Sequence, residues 1–204
     1  RRIDVPRPPR YEVPAAADPV KWENVPAILL TDERFFEGGA VDGREKAAAE
    51  IRFAWDSEYL RFLLRVRDDD VVASTEGQTL WQNDCLELFV NPDGTGLRWG
   101  DSRDFQIGFA PREGLNAVLS WSWFRLEDPS VKKDVEASVS RTPDGFEIAG
   151  RVRWSYLGIT PRKGLVVNLS PAFHNKGSDR SSTKHNWCFI PWDDRRKLGT
   201  LVLQ

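Results

Sequence analysis

A tryptophan and a carboxylate near the start of one predicted strand are the side chains in this sequence best suited to hold a ligand. Trp81 lies in the polar stretch TLWQND, and Glu87 lies in the apolar segment CLELFVN that follows it. Leu86 and Leu88 flank Glu87, so a pleated strand that buries the leucines turns the glutamate to its other face. An indole packs on the C–H face of a flat ring, while a carboxylate accepts hydrogen bonds from hydroxyls. This pattern indicates a site for a hydroxyl-bearing ring; a solvated glutamate beside a half-buried loop tryptophan is the alternative.

A second strand and a distant loop offer matching side chains. In DFQIGF, Gln106 alternates with apolar residues and therefore faces away from the core. If the two strands are neighbours, Gln106 and Glu87 share a surface, where an amide and a carboxylate can pair with vicinal hydroxyls. The polar run DRSSTKHN leads to Trp187, a second indole that could close on the same ring from the other side. Trp192 competes for this role, but the proline before it and DDRRKLG after it are typical of a closing corner.

An acidic run closes a neighbouring strand. Asp68, Asp69 and Asp70 repel one another unless a cation lies among them, and Ca²⁺, which takes about 6–8 oxygen ligands, is the natural one. We predict a structural calcium ion at Asp68, Asp69 and Asp84, with a solvated turn as the alternative, since the EF-hand loop pattern is missing. Further oxygen donors are available at Asp93, Asp101 and Asp104.

Motifs for catalysis are missing from the sequence. It has no GxSxG nucleophile elbow, no GxxxxGK[ST] phosphate loop and no HExxH zinc motif. His174 and His185 stand in a polar stretch, where a histidine is usually solvated. An acid pair for glycoside hydrolysis has no sequence signature, because its spacing is three-dimensional. We therefore expect no enzymatic activity.

Two cysteines, Cys85 and Cys188, allow either two buried thiols or one disulfide. Each is close in sequence to a candidate site residue, Glu87 and Trp187 respectively. We therefore predict that the two sulfur atoms lie close enough for a disulfide, with two thiols as the alternative.

The composition limits the functional classes. The chain has 204 residues, of which 40% are hydrophobic and 29% charged, and its formal net charge is −2. A single domain of this length can bury a core, and the charge provides no basic patch for nucleic acid or anionic lipid. No apolar run reaches the roughly 20 residues of a membrane span, and no signal peptide is visible at the start. Nine Trp and no Met are unusual, and surplus surface tryptophans favour flat, apolar ligand faces.

The segments that must position these residues have the pattern of short strands. Residues 1–17 are rich in proline and alanine and are predicted to run extended before a single domain at 18–204. Residues 51–55 and 60–66 alternate apolar and polar side chains around a DSE turn, which predicts a β-hairpin. Further alternating segments, separated by turns such as NPDG and TPDG, bring the total to about ten or eleven strands. No long segment keeps a helical period, so the predicted fold is an all-β antiparallel β-sandwich.

These segments, in this order, resemble carbohydrate-binding module family 9 and its family 9-like, DOMON-like relatives. The resemblance rests on DPVKWENVPAILLTD, AAEIRFAWDSEYLRFLLRVRDDD, LWQNDCLELFVNPDG, FQIGF, RVRWSYLGITPRKG and NWCFIPWDDRRKLGTLVL, and it covers nearly all of the chain from about Asp18. The pattern W-x-x-D-x-x-E-x-F is its most specific part, followed by the terminal LG-x-L-x-L. The resemblance implies a sandwich of the immunoglobulin-like jelly-roll type that holds the end ring of a sugar chain between two tryptophans and carries structural calcium.

By this resemblance, Trp81 is the first stacking tryptophan and Glu87 the acid that hydrogen-bonds the sugar. Gln106 lies on the strand where the family places a further polar contact, often an arginine. Trp187 matches the second tryptophan, and a polar group beside it comes from one of Lys184, His185 and Asn186. The predicted sugar site accordingly comprises Trp81, Glu87, Gln106, Asn186 and Trp187.

The residues and the resemblance together predict a non-catalytic domain that binds an oligo- or polysaccharide. We expect it to be part of a larger glycan-degrading protein that is secreted, periplasmic or on the cell surface. An alternative from the same fold group is a haem-binding electron-transfer domain; the lack of Met removes Met/His ligation and leaves His174 with His185. An adhesive sandwich whose tryptophans meet another protein, and a glycan-processing enzyme or its accessory domain, are the remaining alternatives.

Overall fold

The predicted all-β sandwich is confirmed. The structure, a computed structural model, describes residues 8–38, 48–92, 104–123, 131–188 and 198–204. The described residues form thirteen strands in two sheets, where about ten or eleven are expected from the sequence. The additional strands include Arg10–Val13 and Phe36–Gly38, which have four and three residues and are too short to show an alternating pattern.

The elements follow one another with few helical segments between them. The strands are β1 (Arg10–Val13), β2 (Ile28–Leu29), β3 (Phe36–Gly38), β4 (Ala48–Trp55), β5 (Tyr59–Arg67), β6 (Cys85–Asn91), β7 (Phe105–Pro111), β8 (Val118–Ser122), β9 (Val135–Thr142), β10 (Gly145–Arg153), β11 (Val166–Lys176), β12 (Ser182–Asn186) and β13 (Thr200–Leu203). The helical segments are α1 (Val131–Asp134) and the three-ten helices Trp22–Asn24, Glu33–Phe35, Gly77–Gln82 and Glu113–Leu115. None of the described helices is long and apolar enough to cross a membrane.

The two sheets are mostly antiparallel. In the first sheet the strands run in the order β1-β13-β11-β6-β7-β8, and β12 pairs with both β11 and β3. The second sheet has the order β2-β4-β5-β10-β9. Within it, β4 and β5 form the predicted hairpin, with Trp55 opposite Leu60 next to the turn. Asp56 closes that turn, because its Oδ1 accepts hydrogen bonds from the backbone N–H groups of Glu58 and Tyr59, both at 2.8 Å.

The N-terminal strand β1 is the exception to the antiparallel pairing. It runs parallel to β13, with Tyr11 opposite Leu201. The predicted extended segment 1–17 therefore does not stand wholly outside the domain, since its residues 10–13 belong to the first sheet. A bridge between Ala15 and Trp55 then connects this segment to the second sheet.

The core between the sheets consists of the residues that the alternation predicts. On β6 and β7 the inward residues are at most 2% exposed, namely Leu86, Leu88, Val90, Phe105, Ile107 and Phe109. The facing hairpin strand β5 contributes Leu60, Phe62, Leu64 and Val66. Each fully buried side chain of this size stabilises the fold by roughly 1.5–3 kcal/mol relative to its exposed state.

The outer face of the first sheet is covered as well, which the alternation does not predict. All seven residues of β6 are buried, so Glu87 and Phe89 face a second layer rather than solvent. That layer includes Leu80, from the three-ten helix Gly77–Gln82, and Leu198, which packs with Phe89. Glu87 is therefore a buried carboxylate, with an exposed fraction of 1%.

Gly150 on β10 leaves the space that the core ring of Phe62 occupies. A Cβ atom at Gly150 would lie 2.3 Å from Cζ of Phe62. We expect Gly150→Ala to lower the free energy of unfolding by about 1–3 kcal/mol, because the ring must leave its preferred rotamer. Urea unfolding followed by tryptophan fluorescence measures the loss. Ser138→Ala on the exposed side of β9 is the control, expected within about 0.5 kcal/mol of the parent; equal stability of the two variants would contradict the packing described.

Candidate functional site

Five polar side chains come together on the outer face of the first sheet. Glu87 on β6 lies opposite Ala172 on β11, and Ala172 lies opposite Asn186 on β12. His174 on β11 lies opposite Lys184 on β12. Directly opposed residues of neighbouring strands point to one face, so these side chains share a surface. Together Glu87, Gln106, His174, Lys184 and Asn186 form the polar patch.

Glu87 is at the centre of the polar patch. Its Oε2 accepts hydrogen bonds from Lys184 Nζ at 2.6 Å and from His174 Nε2 at 2.7 Å. Its Oε1 accepts a hydrogen bond from Gln106 Nε2 at 2.9 Å. The predicted neighbourhood of Glu87 and Gln106 is thus confirmed, and the two side chains bond to each other. One carboxylate ties β6 to β7, β11 and β12.

The polar patch is electrically balanced at neutral pH. Burial by itself raises the pKa of Glu87, but the contacts with His174 and Lys184 outweigh it and lower the pKa to about 2. Burial lowers the pKa of His174, so its imidazole is neutral, and its Nε2 carries the proton because a carboxylate can only accept. The remaining charges are the Glu87 carboxylate and the Lys184 ammonium, 2.6 Å apart. A neutral polar ligand is therefore better suited to this surface than a charged one.

Asn186 presents a buried acceptor. Its Nδ2 donates to the backbone carbonyl of Phe35 at 2.7 Å, which fixes the orientation of the amide. Its Oδ1 is buried and makes no hydrogen bond within the described part of the chain. A buried unpaired acceptor of this kind costs about 1–3 kcal/mol.

Trp81 is the exposed aromatic side chain beside the polar patch, with 42% of its surface accessible. It lies in the three-ten helix Gly77–Gln82, which the fully buried Leu80 anchors to the sheet. The ring centroid of Trp81 is 6.5 Å from that of His174, and Lys176 Nζ lies 5.2 Å from the indole. Trp81 therefore forms an aromatic platform at the rim of the patch.

Asn83, which follows this helix, fixes the loop that leads into it. Asn83 is fully buried, and its Oδ1 accepts hydrogen bonds from the backbone N–H groups of Ser74 at 2.8 Å and Thr75 at 2.9 Å. Its Nδ2 donates to the carbonyl of Thr75 at 2.7 Å. Because the loop is tied at both of these residues, the backbone that carries Trp81 is positioned before any ligand arrives.

Trp187 is less accessible than the sequence suggests. It directly follows β12, and its backbone N–H donates to the carbonyl of Pro171 at 3.2 Å. Its ring is half-buried, packs against the core and covers Gly199, where a Cβ atom would lie 2.2 Å from the ring carbon Cζ3. The two indoles thus differ, since Trp81 presents an exposed ring and Trp187 one that is partly used in packing. Trp192 lies outside the described residues.

His174 is a site residue that the sequence pattern did not identify. The sequence suggests a solvated side chain in a polar loop; the structure places it in β11 with an exposed fraction of 8%. The signal that could have identified it is the alternation of Ala172, His174 and Lys176, because a period of two puts all three on one face. Lys184 is the second residue missing from the predicted sugar site. The sequence offered Lys184, His185 and Asn186 as alternatives, and only Asn186 was included in that site.

His185 lies on the opposite face of the sheet from His174. It pairs with the core residue Phe173, its Nε2 is 3.0 Å from Thr183 Oγ1, and its Nδ1 is 3.2 Å from the carbonyl oxygen of Leu30. Because one imidazole faces the polar patch and the other faces the core, the two do not converge on one point. The geometry therefore gives no support to haem ligation by this pair.

The acidic residues predicted to bind calcium are only partly brought together. Asp84 is buried, with its Oδ1 accepting from the backbone N–H of Lys176 at 2.8 Å and its Oδ2 from that of Val72 at 2.6 Å. Burial raises the pKa of Asp84 to about 8, with a further contribution from the charges of Asp68 and Asp70. Asp68, Asp70 and Asp84 are therefore close enough to interact electrostatically, and we name these three residues the acidic pocket.

The other predicted oxygen donors lie elsewhere. Asp69 is exposed. Asp104 is buried, and its Oδ1 accepts a hydrogen bond from Asn91 Nδ2 at 2.9 Å. Asp93 and Asp101 are outside the described residues. Within the described ranges, no three Asp, Glu, His or Cys side chains form a group that could hold a metal ion, so the calcium site stays a prediction.

The predicted disulfide is wrong, because Cys85 and Cys188 are both buried free thiols. Cys85 lies opposite His174 on β11, whereas Cys188 Sγ lies 2.9 Å from Ser170 Oγ. Four residues along a strand span about 13 Å, far beyond the Cα separation of about 7 Å that limits a disulfide. Burial raises the pKa of both thiols.

The ion pair of Glu87 predicts a loss of stability in acid. The pKa of Glu87 is about 2 in the folded protein against an ordinary value of 4.5. A carboxyl group whose pKa is lower in the folded than in the unfolded protein contributes its full stabilisation above the unfolded pKa. For Glu87 this contribution is about 3 kcal/mol, and it is lost as the pH falls from 4.5 through about 2. Urea unfolding at a series of pH values from roughly 6 down to 2 measures this loss.

The matched variant removes both charges together. Glu87→Gln combined with Lys184→Met should flatten this part of the pH profile relative to the parent. Glu87→Gln alone leaves a buried ammonium without its anion and should cost about 3–5 kcal/mol at neutral pH. An unchanged profile in the double variant would show that Glu87 does not carry the acid dependence.

Two solved structures share this fold over nearly the whole chain. A carbohydrate binding module family 9 from Caldicellulosiruptor kristjanssonii in complex with glucose has a TM-score of 0.74 at 17% identity, over 96% of this chain and 95% of that one. A module of that family from the same organism in complex with cellotriose has a TM-score of 0.73 at 17% identity, over 96% and 93%. At this identity the likeness establishes the fold alone.

Relatives among known proteins are much longer than this chain. Endo-1,4-beta-xylanase A of Thermotoga maritima is 22% identical over 173 residues, which are 81% of this chain and 14% of that protein. Exoglucanase XynX of Acetivibrio thermocellus is 21% identical over 188 residues, which are 89% of this chain and 15% of that protein. The chain thus spans about one seventh of the length of these relatives.

The sequence profile of one family covers the domain almost completely. The profile described as "Carbohydrate family 9 binding domain-like" matches residues 15–204, which include Trp81 and the whole polar patch. This match agrees with the two-sheet sandwich and with the motifs recognised in the sequence. The chain therefore belongs to the carbohydrate family 9 binding domain-like family.

Proposed function

We propose that this domain binds a neutral sugar ring without altering it chemically. The observation that carries the proposal is an exposed indole, Trp81, beside a polar patch whose charges cancel. A sugar ring needs both kinds of surface, because its C–H face stacks on an aromatic ring while its hydroxyls form hydrogen bonds.

The polar contacts are assigned to acceptor atoms that the protein's own bonds leave available. Asn186 Oδ1 is the first: it has no partner among the described residues, and because it is buried a hydroxyl reaches it only when neighbouring side chains shift. Gln106 is bound to Glu87 through its Nε2, so its Oε1 is directed to a second hydroxyl. His174 uses its Nε2 toward Glu87, which leaves Nδ1 of the neutral ring as a third acceptor. Glu87 itself acts chiefly by orienting Gln106 and His174.

We propose that Trp187 closes the site from the other end of the polar patch. The Trp81 ring lies near His174 of β11, and the backbone N–H of Trp187 is bonded to the carbonyl of Pro171 on the same strand. Three residues along a strand span about 10 Å, and a ring held between two aromatic planes needs about 7–8 Å between them. Because Trp187 is half-buried, Trp81 should contribute more to binding.

The ligands we propose are β-1,4-linked glucose or xylose polymers. The two similar structures are complexes with glucose and with cellotriose, and the relatives are named as a xylanase and an exoglucanase. Since the chain spans about one seventh of those relatives, we propose that it serves as a binding domain within a larger glycan-degrading protein outside the cytoplasm.

Removal of the exposed indole tests the proposal directly. Trp81→Ala should weaken the binding of glucose and cellotriose by about 1–3 kcal/mol, or about 5- to 150-fold, because the stacking face is lost. Isothermal titration calorimetry measures the affinity, with xylotriose as a second ligand. Trp22→Ala is the matched control, since Trp22 borders the second sheet near Arg61 and Arg151. If the parent domain binds none of these sugars, the proposed function is wrong.

Trp187→Ala tests the second ring in the same titration. A loss comparable to that of Trp81→Ala supports a grip by both indoles, whereas a change of less than about twofold restricts stacking to Trp81. Because Trp187 also packs against the core, circular dichroism melting must show that the variant is folded at the temperature of the titration.

We propose separately that one calcium ion neutralises the acidic pocket through Asp68 and Asp84. The support is the raised pKa of Asp84, which comes first from burial and then from the charges of Asp68 and Asp70. At a hundredfold excess over its Kd, calcium should raise the free energy of unfolding of protein treated with EDTA by about 2.7 kcal/mol. Asp84→Asn should abolish the effect and Asp69→Asn should leave it intact, because Asp69 is exposed and outside the pocket. Identical melting curves in EDTA and in calcium would exclude the site.

A further inference from the structure

We propose that a groove beside Trp81 extends the sugar site and receives further rings of a bound oligosaccharide. The inference rests on the proposed function, because it places the second and later rings of a chain whose first ring lies on Trp81. It assigns the domain to sugar chains of several units, rather than to single sugars.

The groove begins where the aromatic platform ends. It has a volume of about 780 Å³, which is toward the upper end of the roughly 300–1,000 Å³ found for ligand pockets and leaves room for more than one ring. Lys176 lines it, and the ammonium of that residue lies 5.2 Å from the Trp81 ring. Gln82, the neighbour of Trp81 in the chain, lines it as well. A chain that leaves the platform on the side of Lys176 is therefore directed toward the groove.

The groove is lined by groups that match sugar hydroxyls. Its polar side chains include Ser74, Gln82, Ser178, Ser181 and Ser182. A hydroxyl or an amide can both donate and accept, as a sugar hydroxyl can, so either partner can adapt to the other. Charged side chains of both signs, Glu113, Lys176 and Arg180, border the groove as well, so its hydroxyl and amide groups lie among charges.

Several of these hydroxyls retain hydrogen-bonding capacity. Ser182 Oγ accepts from Lys176 Nζ at 2.6 Å, which leaves its own proton to donate. Ser178 Oγ donates to Asp70 Oδ2 at 3.1 Å, which leaves its lone pairs to accept. Ser181 Oγ is enclosed and has no hydrogen-bond partner in the part of the chain that the structure describes.

The two walls of the groove are fastened to each other. Asp84 accepts a hydrogen bond from the backbone of Val72 on one wall and from that of Lys176 on the other. Asp70 accepts from the backbone N–H of Ser178 at 3.0 Å and so makes a second connection. Because the groove walls are already ordered, binding of a ligand does not lose free energy to ordering them.

The test compares sugars of increasing length. Calorimetric titration of the parent domain with glucose, cellobiose, cellotriose and cellotetraose, and with the xylose series, should show affinity rising by about tenfold from the single sugar to the trimer, equivalent to roughly two hydrogen bonds. Gln82→Ala combined with Ser178→Ala should remove most of this gain and leave the affinity for the single sugar within about twofold of the parent value.

The control is Gln78→Ala, which changes the same residue type in the same three-ten helix but does not border the groove. This variant should keep the full dependence on chain length. If the parent binds single sugars and trimers equally well, or if the double variant keeps the gain, the groove is not a subsite and the proposed function stands. If no sugar binds at all, both proposals are wrong.

Discussion

A buried carboxylate that receives hydrogen bonds from three neighbouring strands is the interaction on which the site depends. Removing a carboxylate from water costs several kcal/mol, and Glu87 is stable in its charged form only because Lys184, His174 and Gln106 all donate to it. The same bonds fix the rotamers of the donors. The side chains of His174 and Gln106 are therefore held in place by a residue that is itself almost inaccessible to solvent.

Asp84, three residues before Glu87, shows the opposite electrostatic outcome in a similarly buried position. Glu87 has an ammonium 2.6 Å away, and its pKa is about 2. Burial raises the pKa of Asp84 to about 8, since its partners are the backbone N–H groups of Val72 and Lys176 and the charges of Asp68 and Asp70 add to the rise. Burial acts in the same direction on both acids, so the difference comes from their charged neighbours. The polar patch is thus complete with protein groups alone, whereas the acidic pocket requires a proton or a cation.

The sequence predicted the structure well where the two-residue period of a strand decides to which face of the sheet a side chain points. The pleat places Leu86 and Leu88 inside and Glu87 opposite, and it brings Glu87 to Gln106, as the alternation predicted. The pattern could not show that the outer face is covered, because the cover includes Leu198, which is remote in sequence. The disulfide prediction was wrong for a related reason. Cys85 and Cys188 are each close in sequence to a site residue, but this does not determine the distance between the two cysteines across the sheet. His174 was missed because a polar stretch was taken for a loop although it continues a strand.

The start of β6 couples the aromatic platform to the groove. Asn83 holds the loop at Ser74 and Thr75 that leads to Trp81, and the next residue, Asp84, joins the two groove walls at Val72 and Lys176. Both braces are buried side chains at adjacent positions, so neither wall can shift far without disturbing the other or the loop that carries the indole. Recognition of one ring and of the chain beyond it would then depend on a single rigid unit. Exposed residues such as Gln82 and Ser178 can vary the contacts along the groove, while Asn83 and Asp84 maintain its shape.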